Sequence, residues 1–538
     1  MADIVVIGAG CGGLAFAIAL QRKYGYKNYV IYEKAGDLGG TWRANTYPGC
    51  SSDVGMSFFS LSTDIRNWSA SHAFQPEILA YWRSLAHKYS LLPHIKYNHS
   101  VVSAEWDETS QRYHVTVHNE VTGETSVTDA KVIVSAIGIL NVPRWPEDIS
   151  GLRTFGGSMF HSARWDSEVD LRGKNVAVIG NGPSAVQLVP PISSDPSVSV
   201  TNFVRTSSWF LPHMYKKYSP LLVWLRGIIP GALRMQRIGT FLIHEMSYYL
   251  VFTNSVTRRF MQWLVTRYMR SKTPPKYYQS LIPKHDLGCK RALFDADYLD
   301  SLHRPNVSVC LDGIQEIVRD GIVTRNGDKL PFDVIILATG FVADDYPIPI
   351  QGKNNITVDD YYRLSGGPTA YLGTSTPGFP NFYTLFGPNI TTGFTSVLYS
   401  HELQIEYILQ LIKPVLDGKA SSFDVTSDAT NEYNAKIQKR LSNSVFMQCT
   451  SWYRSGNDGK VSNIFPGSGM LMWWWLRKPV WDHYQVSTDG KRWKEEREAA
   501  QKSRQYVLVS AVAAAVIAIL ATYTNLFGQV LDSLQSVV

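Results

Sequence analysis

The chain is 538 residues long, with 45% hydrophobic residues, 18% charged residues and a formal net charge of +7. That length allows two or three domains with large buried cores, and that composition excludes an intrinsically disordered chain. The basic excess is concentrated in one segment that is also rich in apolar residues, so the net charge does not indicate nucleic-acid binding.

The chain opens on a strand, turn and helix pattern that is typical of a dinucleotide site. The apolar run IVVI precedes GAGCGG, in which Gly8 permits a tight turn, Gly10 admits a pyrophosphate and Gly13 allows close helix–strand packing. A second strand-like run, YVIYE, ends at Glu33, 20 residues after Gly13. A carboxylate there hydrogen-bonds the ribose hydroxyls of an adenosine that has no 2′-phosphate. This unit therefore predicts a site for FAD or NAD.

A second glycine motif, VAVIGNGPSAVQLV, spans residues 176–189 and has Gly180 and Gly182 at its turn. Its helix contributes three further candidate NADP-binding residues, Ser184, Ala185 and Gln187. Twenty residues after Ala185 the chain carries Arg205, followed by Thr206, where the first unit carries an acid. A guanidinium binds a 2′-phosphate that a carboxylate would repel. The second unit therefore predicts NADPH, and two such units in one chain predict hydride transfer from NADPH to a flavin.

Residues 212–282 form the basic segment, with eleven Lys and Arg against a single acid, Glu245. Apolar runs such as LLVWLRGII alternate with these cations, which predicts a helical insertion in the second unit. Three interpretations remain open: a collar around an apolar substrate, a face resting on an anionic membrane, and a helical subdomain with a solvated basic face.

The C-terminal region predicts a membrane anchor. Residues 506–524 carry no charge, and as a helix they would span roughly 28 Å, about the thickness of a bilayer core. A segment rich in Lys and Arg precedes them, which places the catalytic body in the cytosol. We expect a single-pass tail anchor, the alternative being a buried core helix.

The five cysteines are odd in number and widely spaced in the chain. Cys289 and Cys310, the closest pair, are 21 residues apart, so no redox dithiol or zinc-binding spacing is present. We expect reduced thiols and no metal site.

Three longer stretches resemble the Baeyer–Villiger monooxygenases, a class of flavoprotein monooxygenases with two dinucleotide-binding domains. GGTWRANTYPGCSSD, residues 39–53, matches the family pattern GGxWxxNxYPGxxxD, and FGGSMFHSARWD, residues 155–166, matches FxGxxxHxxxWD. ILATGF, residues 336–341, resembles the segment that returns the chain to the flavin domain. Weaker similarity lies in GCKR, CTSWYRSG and FGPN. One departure is Ile137, which stands where the family usually has a threonine.

The glycine motifs and this resemblance together predict an α/β fold with two Rossmann-like dinucleotide-binding domains. We expect a discontinuous FAD-binding domain at 1–145 and 332–485, and an NADP-binding domain at 150–331 with the helical insertion at 212–282. A polar linker at 486–505 and the transmembrane anchor at 506–524 follow.

The resemblance also implies roles for individual residues. Arg291 matches the family's active-site arginine, and Asp53 matches the acid that pairs with it. Trp452 and Tyr453 match a mobile loop that closes over NADP⁺, and His161 matches a histidine that joins and orients the two domains. The implied FAD contacts are Gly40, Thr41, Trp42, Arg43 and Asp53.

The implied reaction is an NADPH- and O₂-dependent Baeyer–Villiger oxidation of a lipophilic ketone to an ester or lactone, through a C4a-peroxyflavin. A terpenoid, steroid or polyketide of secondary metabolism would suit the aromatic content and the anchor. Three alternatives remain: oxygen transfer to nitrogen or sulfur, which needs no arginine; a membrane-tethered NADPH–flavin electron-transfer protein; and a non-catalytic scaffold.

Overall fold

The computed structural model describes residues 2–212, 215–343, 345–456 and 459–500, together with the single residues 503, 510 and 514. The strands in this part of the chain are β1 (Ile4–Ile7), β2 (Tyr29–Glu33), β3 (Ile95–Tyr97), β4 (His99–Asp107), β5 (Arg112–Asn119), β6 (Thr125–Ala130), β7 (Val132–Ser135), β8 (Val142–Pro143), β9 (Ser158–His161), β10 (Asn175–Ile179), β11 (Ser199–Phe203), β12 (Phe210–Leu211), β13 (Leu293–Phe294), β14 (Val307–Cys310), β15 (Ile314–Val318), β16 (Gly321–Thr324), β17 (Lys329–Pro331), β18 (Val334–Leu337), β19 (Phe341–Val342), β20 (Ile350–Gln351), β21 (Phe382–Thr384), β22 (Phe423–Val425) and β23 (Tyr484–Val486).

The α-helices in the same part of the chain are α1 (Cys11–Tyr24), α2 (Thr41–Ala44), α3 (Gln75–Lys88), α4 (Pro183–Ile192), α5 (Pro220–Ile228), α6 (Ala232–Tyr248), α7 (Ser255–Lys272), α8 (Tyr278–Leu281), α9 (Tyr298–Ser301), α10 (Val358–Leu364), α11 (Val397–Leu416), α12 (Ser427–Ser442) and α13 (Gly469–Leu476).

The first nucleotide unit is a five-stranded parallel sheet in the order β21-β7-β1-β2-β3. All four residues of β1 and of β7 are buried, as expected for strands covered on both faces of a parallel sheet. Strand β21, at Phe382–Thr384, completes this sheet by pairing with β7, although it lies more than 240 residues further along the chain. Helix α11, which follows β21, packs against α1. The first nucleotide unit is therefore assembled from two separate parts of the chain.

The second nucleotide unit is also a five-stranded parallel sheet, in the order β14-β11-β10-β18-β9. Val334–Leu337 pairs in register with Val176–Ile179 on one side and with Ser158–His161 on the other. The predicted boundary at residue 332 was therefore wrong, because the apolar strand β18 completes the NADP sheet before the chain leaves this unit. The return follows at Phe341–Val342, which pairs antiparallel with Val142–Pro143, so the two crossings of the chain form a short ribbon.

The predicted insertion is helical. Helices α5 to α8 lie between β12 and β13, within the NADP-binding unit. The segment predicted as a polar linker is in part ordered, because residues 491–500 are helical and the Trp493 ring packs edge-on against Trp481 at 4.9 Å. None of the helices in the described residues is long and apolar enough to cross a bilayer. The predicted anchor at 506–524 lies outside the described residues, apart from residues 510 and 514.

The prediction that all thiols are reduced was wrong. Cys289 and Cys449 form a disulfide with their Cα atoms 5.7 Å apart, whereas Cys11, Cys50 and Cys310 are free. The two partners are 160 residues apart in the chain, so spacing along the sequence gave no sign of the pairing. The bond joins the GCKR segment of the NADP-binding unit to the CTSWYRSG loop.

A count of reactive thiols tests this pairing. We expect purified protein, denatured in an alkylating reagent without reductant, to be modified at three cysteines, and at all five after reduction. Mass spectrometry of a non-reduced digest should show a peptide containing both Cys289 and Cys449. Five modified cysteines before reduction would contradict the disulfide.

Two buried histidines predict how stability depends on pH. Burial lowers the pKa of both His161 and His401 from 6.5 to about 4. Between these values a proton binds the unfolded ring but not the folded one, so the free energy of unfolding falls as pH falls from 6.5 to 4. The loss is about 2 kcal/mol per ring at pH 5. In urea titrations at pH 7.5 and pH 5, His401→Gln should show a smaller difference between the two pH values than the parent protein. An equal difference would contradict this assignment.

Candidate active site

Both glycine turns have the shape that a dinucleotide requires. The N-cap residues of α1 and α4, Gly10 and Gly182, have the same backbone angles, φ −77° and ψ −174°, and neither helix has a side-chain cap. The first amide groups of both helices therefore remain available to a pyrophosphate. A Cβ on Gly182 would have no atom within 4 Å, so the space next to the N-terminus of α4 is open.

In the first turn the glycines are required by backbone packing. A Cβ on Gly13 would lie 2.0 Å from the carbonyl oxygen of Gly8, and Gly8 itself has φ +101°. Gly40 has φ +53°, and a Cβ there would lie 2.8 Å from the Cα atom of Gly10. The GGTW loop thus crosses directly over the first turn, where it can cover the pyrophosphate of FAD.

Glu33 lies at the carboxyl end of β2, as predicted, and is buried beside the first turn. Its Oε2 accepts a hydrogen bond from the Ala9 amide at 2.8 Å, and its Oε1 accepts one from the Ala35 amide at 2.9 Å. Each carboxylate oxygen keeps a further lone pair for a ribose hydroxyl. The side chain is therefore held where the resemblance and the strand spacing predict it.

The other predicted FAD residues occupy α2 and its surroundings. Trp42 is buried and meets the Phe59 ring edge-on at 5.5 Å, while its carbonyl accepts a hydrogen bond from Gln75. Thr41 and Arg43 are exposed on either side of it. The structure places these residues next to Gly40, and their contacts with FAD stay predictions.

Gln187 has a different role in this structure from the predicted contact with NADP. Its side-chain carbonyl accepts hydrogen bonds from the Tyr47 hydroxyl at 2.9 Å and the Ser51 amide at 3.3 Å, and its amide donates to the Ser51 carbonyl at 3.1 Å. Gly49, with φ +84°, lies so close that a Cβ would be 2.2 Å from the Gln187 carbonyl. Gln187 therefore fastens the loop that leads to Asp53 onto α4.

Arg205 and Thr206 follow β11, at the same edge of the sheet as the second glycine turn. The Asn181 side chain donates to the Thr206 carbonyl at 2.8 Å, which ties this segment to the turn. The Arg205 side chain is 90% exposed, with only a distant 3.9 Å ion pair to Asp148. The register of the parallel strands thus delivers a cation beside the turn, as predicted.

Lys290 is a second cation at this site that the sequence reasoning missed. Burial and the nearby Arg205 charge lower the pKa of Lys290. In the described part of the chain Lys290 has no ion-pair partner, and the Arg205 charge acts on it, so two cations lie near one another. Such an arrangement favours an anion with two or more charges, such as a 2′-phosphate.

Arg291 and Asp53 form an ion pair between the two nucleotide units. The guanidinium Nη2 donates to Oδ2 of Asp53, and the carboxylate raises the pKa of Arg291, which is charged at every working pH. Asp53 also lines a cleft formed with Ser52, His72, Pro183, Gln187 and Leu293. The pair that the resemblance implies is therefore assembled, although its members are 238 residues apart.

The CTSWYRSG loop covers the other side of Arg291. Tyr453 is buried, its pKa is raised to about 12 by burial, and the Arg291 charge opposes that rise. Trp452 lies 5.1 Å from the Tyr453 ring and is 37% exposed, and its carbonyl accepts from Asn463 at 3.0 Å. Because Cys449 is bonded to Cys289, this loop is fixed covalently two residues from Arg291. Contact of Trp452 with NADP stays a prediction.

His161 ends β9 and is fully buried. Its Nδ1 accepts a hydrogen bond from the Ala163 amide at 3.1 Å, and its ring meets Phe341 edge-on at 5.7 Å. Phe341 starts the ribbon that returns to the first unit, and the low pKa of His161 keeps the ring neutral at physiological pH. This position is suited to packing at the domain crossing rather than to chemistry.

Comparisons with known proteins agree with this geometry. Residues 2–354 match the family model described as flavin-binding monooxygenase-like. A FAD-binding monooxygenase of Aspergillus niger is 34% identical over 485 residues, covering 87% of this chain and 79% of that protein. A Baeyer–Villiger monooxygenase of Streptomyces coelicolor is 34% identical over 475 residues, covering 86% of this chain and 89% of its own length.

A solved structure shows the same architecture. The crystal structure of OTEMO in complex with FAD and NADP matches with a TM-score of 0.80 and 26% identity, covering 90% of this chain and 99% of that one. The chain therefore belongs to the flavin-binding monooxygenase-like family, in its Baeyer–Villiger class, and is an FAD-dependent monooxygenase that uses NADPH.

Proposed function

We propose that the protein converts a lipophilic ketone, O₂, NADPH and a proton into an ester or lactone, NADP⁺ and water. The observation that carries this proposal is the Arg291–Asp53 ion pair, which joins the two nucleotide units and whose carboxylate lines a cleft. Oxygen insertion beside a carbonyl passes through a tetrahedral adduct in which the carbonyl oxygen becomes an anion. A fixed, permanently charged donor stabilises that charge where it develops.

The chain's own residues divide the work. FAD, when bound, would supply oxygen activation with electrons from NADPH, and the helix N-termini at the two glycine turns would hold the phosphates of these cofactors. Arg291 provides the positive charge, and Asp53 holds the guanidinium in one orientation, as an ion pair in a partly dry site requires. The loop of Tyr453 and Trp452 would cover the Arg291 side of the site and exclude water when NADP is bound.

An aromatic wall next to this pair supports a lipophilic substrate. Phe252 lies against Gly288, stacks on Phe446 at 5.2 Å and lies 5.8 Å from Phe394. Phe446 in turn meets Tyr453 edge-on at 5.6 Å. An apolar ketone of the kind found in polyketide, terpenoid or steroid secondary metabolism would suit this wall better than a polar one.

For localisation we propose that residues 506–524 anchor the protein in a membrane with its body in the cytosol. The support is the uncharged 19-residue run and the basic segment before it. The Cys289–Cys449 disulfide argues against a reducing compartment, where such bonds are rare. Alkylating the thiols in intact cells before lysis distinguishes a cytosolic body from one in a non-reducing compartment. A cytosolic body predicts that Cys289 and Cys449 are both modified, and a non-reducing compartment predicts that neither is.

Replacing the arginine tests the proposed reaction. We expect Arg291→Ala to keep FAD binding and NADPH oxidation but to form lactone from a cyclic ketone about 100-fold more slowly, because the developing oxyanion loses its charged partner. Arg153→Ala, an exposed arginine outside the cleft, is the control and should keep full activity.

Assays of the same variant with a thioether separate the alternatives. Lactone formation that survives Arg291→Ala would refute the role of Arg291. Sulfoxide from the parent enzyme without any lactone would instead identify an S-oxygenase, and NADPH oxidation with neither product would identify an electron-transfer protein.

A second prediction concerns cofactor choice. Arg205→Ala and Lys290→Ala should each raise KM for NADPH by about 10- to 100-fold, because each loses a charge-assisted hydrogen bond to the 2′-phosphate. KM for NADH, which has no such phosphate, should change less than about twofold. Steady-state kinetics with both cofactors measures this, and equal changes for the two would refute the assignment.

A further inference from the structure

Helix α6 of the insertion has an apolar stripe on its exposed side. Met235, Ile238, Leu242 and Met246 are 66%, 50%, 56% and 63% exposed. Their spacing of three, four and four residues places them on one face of the helix. A surface helix normally turns such a stripe towards the core, so this one is unpartnered within the described part of the chain.

The packed side of α6 carries two buried charged side chains. Arg237 is buried and its Nη2 pairs with Glu402 at 2.8 Å, and Glu245 is buried and accepts from the Gly469 amide at 2.6 Å. These polar contacts fasten α6 to the body of the protein. The exposed stripe is therefore additional to the side of α6 that packs on the protein, where Phe241 and Tyr248 also make aromatic contacts.

The neighbouring helices carry further exposed apolar side chains. On α7, Val256, Phe260 and Trp263 are exposed at a spacing of four and three residues, and the rings of Phe260 and Trp263 stack at 6.0 Å. Trp224 on α5, which packs against α6, is 60% exposed. We call the exposed apolar side chains of α5, α6 and α7 the insertion face.

Cations without partners border the insertion face. Arg234, Arg259, Arg267 and Arg270 are exposed, and among the described residues none of them forms an ion pair. Arg267 continues the Val256–Phe260–Trp263 stripe, four residues after Trp263. The one acid of the insertion, Glu245, is buried and accepts a hydrogen bond from the Gly469 amide. The surface is thus apolar at its centre and purely cationic at its border.

We propose that the insertion face docks on a lipid bilayer with anionic headgroups. A bilayer takes Trp and aliphatic side chains at its interface while its headgroups neutralise the arginines. A second copy of the chain would bring the same unpaired arginines together without an acid, and a nucleic acid would leave the aliphatic side chains unmatched. Docking by the insertion face does not depend on which ketone the enzyme oxidises, and it does not require the predicted anchor.

Hydrogen exchange on the full-length protein tests the docking. Vesicles of phosphatidylcholine with 30% phosphatidylserine should slow exchange of the amides in residues 220–270 at least threefold relative to vesicles of phosphatidylcholine alone. The exposed β5–β6 hairpin should exchange equally in both. Equal exchange at 220–270 in the two vesicle types would overturn the proposal, as would protection that depends on protein concentration without vesicles, because that would indicate self-association.

A charge-reversal pair makes the test independent of the C-terminal segment, which all variants keep. Arg259→Glu with Arg267→Glu should abolish the protection of residues 220–270 on anionic vesicles, even if the protein still sediments with them. Lys96→Glu with Arg153→Glu reverses two exposed cations outside the insertion and should keep the protection. Unchanged exchange in the two nucleotide units shows that each variant is folded. Retained protection in the first variant, or its loss in the second, would overturn the proposal.

Discussion

The arrangement of the site depends on one ion pair that joins two separately built units. Asp53 ends a loop that leaves the FAD-binding sheet, and Arg291 precedes β13 of the NADP-binding unit. Gln187 and Gly49 fasten that loop onto α4, and the Cys289–Cys449 disulfide fixes the segment of Arg291 to the loop of Tyr453. An ion pair that is partly removed from water is stable only when both side chains are fixed in position. The contacts of Gln187 and Gly49 and the disulfide therefore stabilise the Asp53–Arg291 pair.

The two glycine turns share the backbone shape that binds a dinucleotide, but different side chains surround them. The backbone at the N-caps of α1 and α4 is the same, so phosphate binding does not discriminate. Discrimination lies at the ends of β2 and β11, where Glu33 is buried against its turn while Arg205 and Lys290 present positive charge. A carboxylate at one turn would repel a 2′-phosphate and the cations at the other would attract it, which is why we assign FAD to the first turn and NADPH to the second.

Local features of the site could be predicted from the sequence, and long-range ones could not. The positions of Glu33 and Arg205 follow from strand–turn–helix spacing, because parallel register carries the end of each second strand to its glycine turn. The Asp53–Arg291 pair came only from resemblance to a family. The disulfide, the role of Gln187 and the placement of β18 depend on contacts between segments more than 130 residues apart, which no periodicity records. Lys290 was missed because a basic pair has no local signature of its environment.

The central claim is that Asp53 and Arg291 act as one unit in ketone oxygenation. A double-mutant cycle on the rate of lactone formation measures this directly, with Asp53→Ala, Arg291→Ala and the double variant. We expect Asp53→Ala to slow the parent enzyme markedly but to have almost no further effect once Arg291 is replaced, because the carboxylate acts only through the guanidinium. Two losses that multiply in the double variant would contradict it.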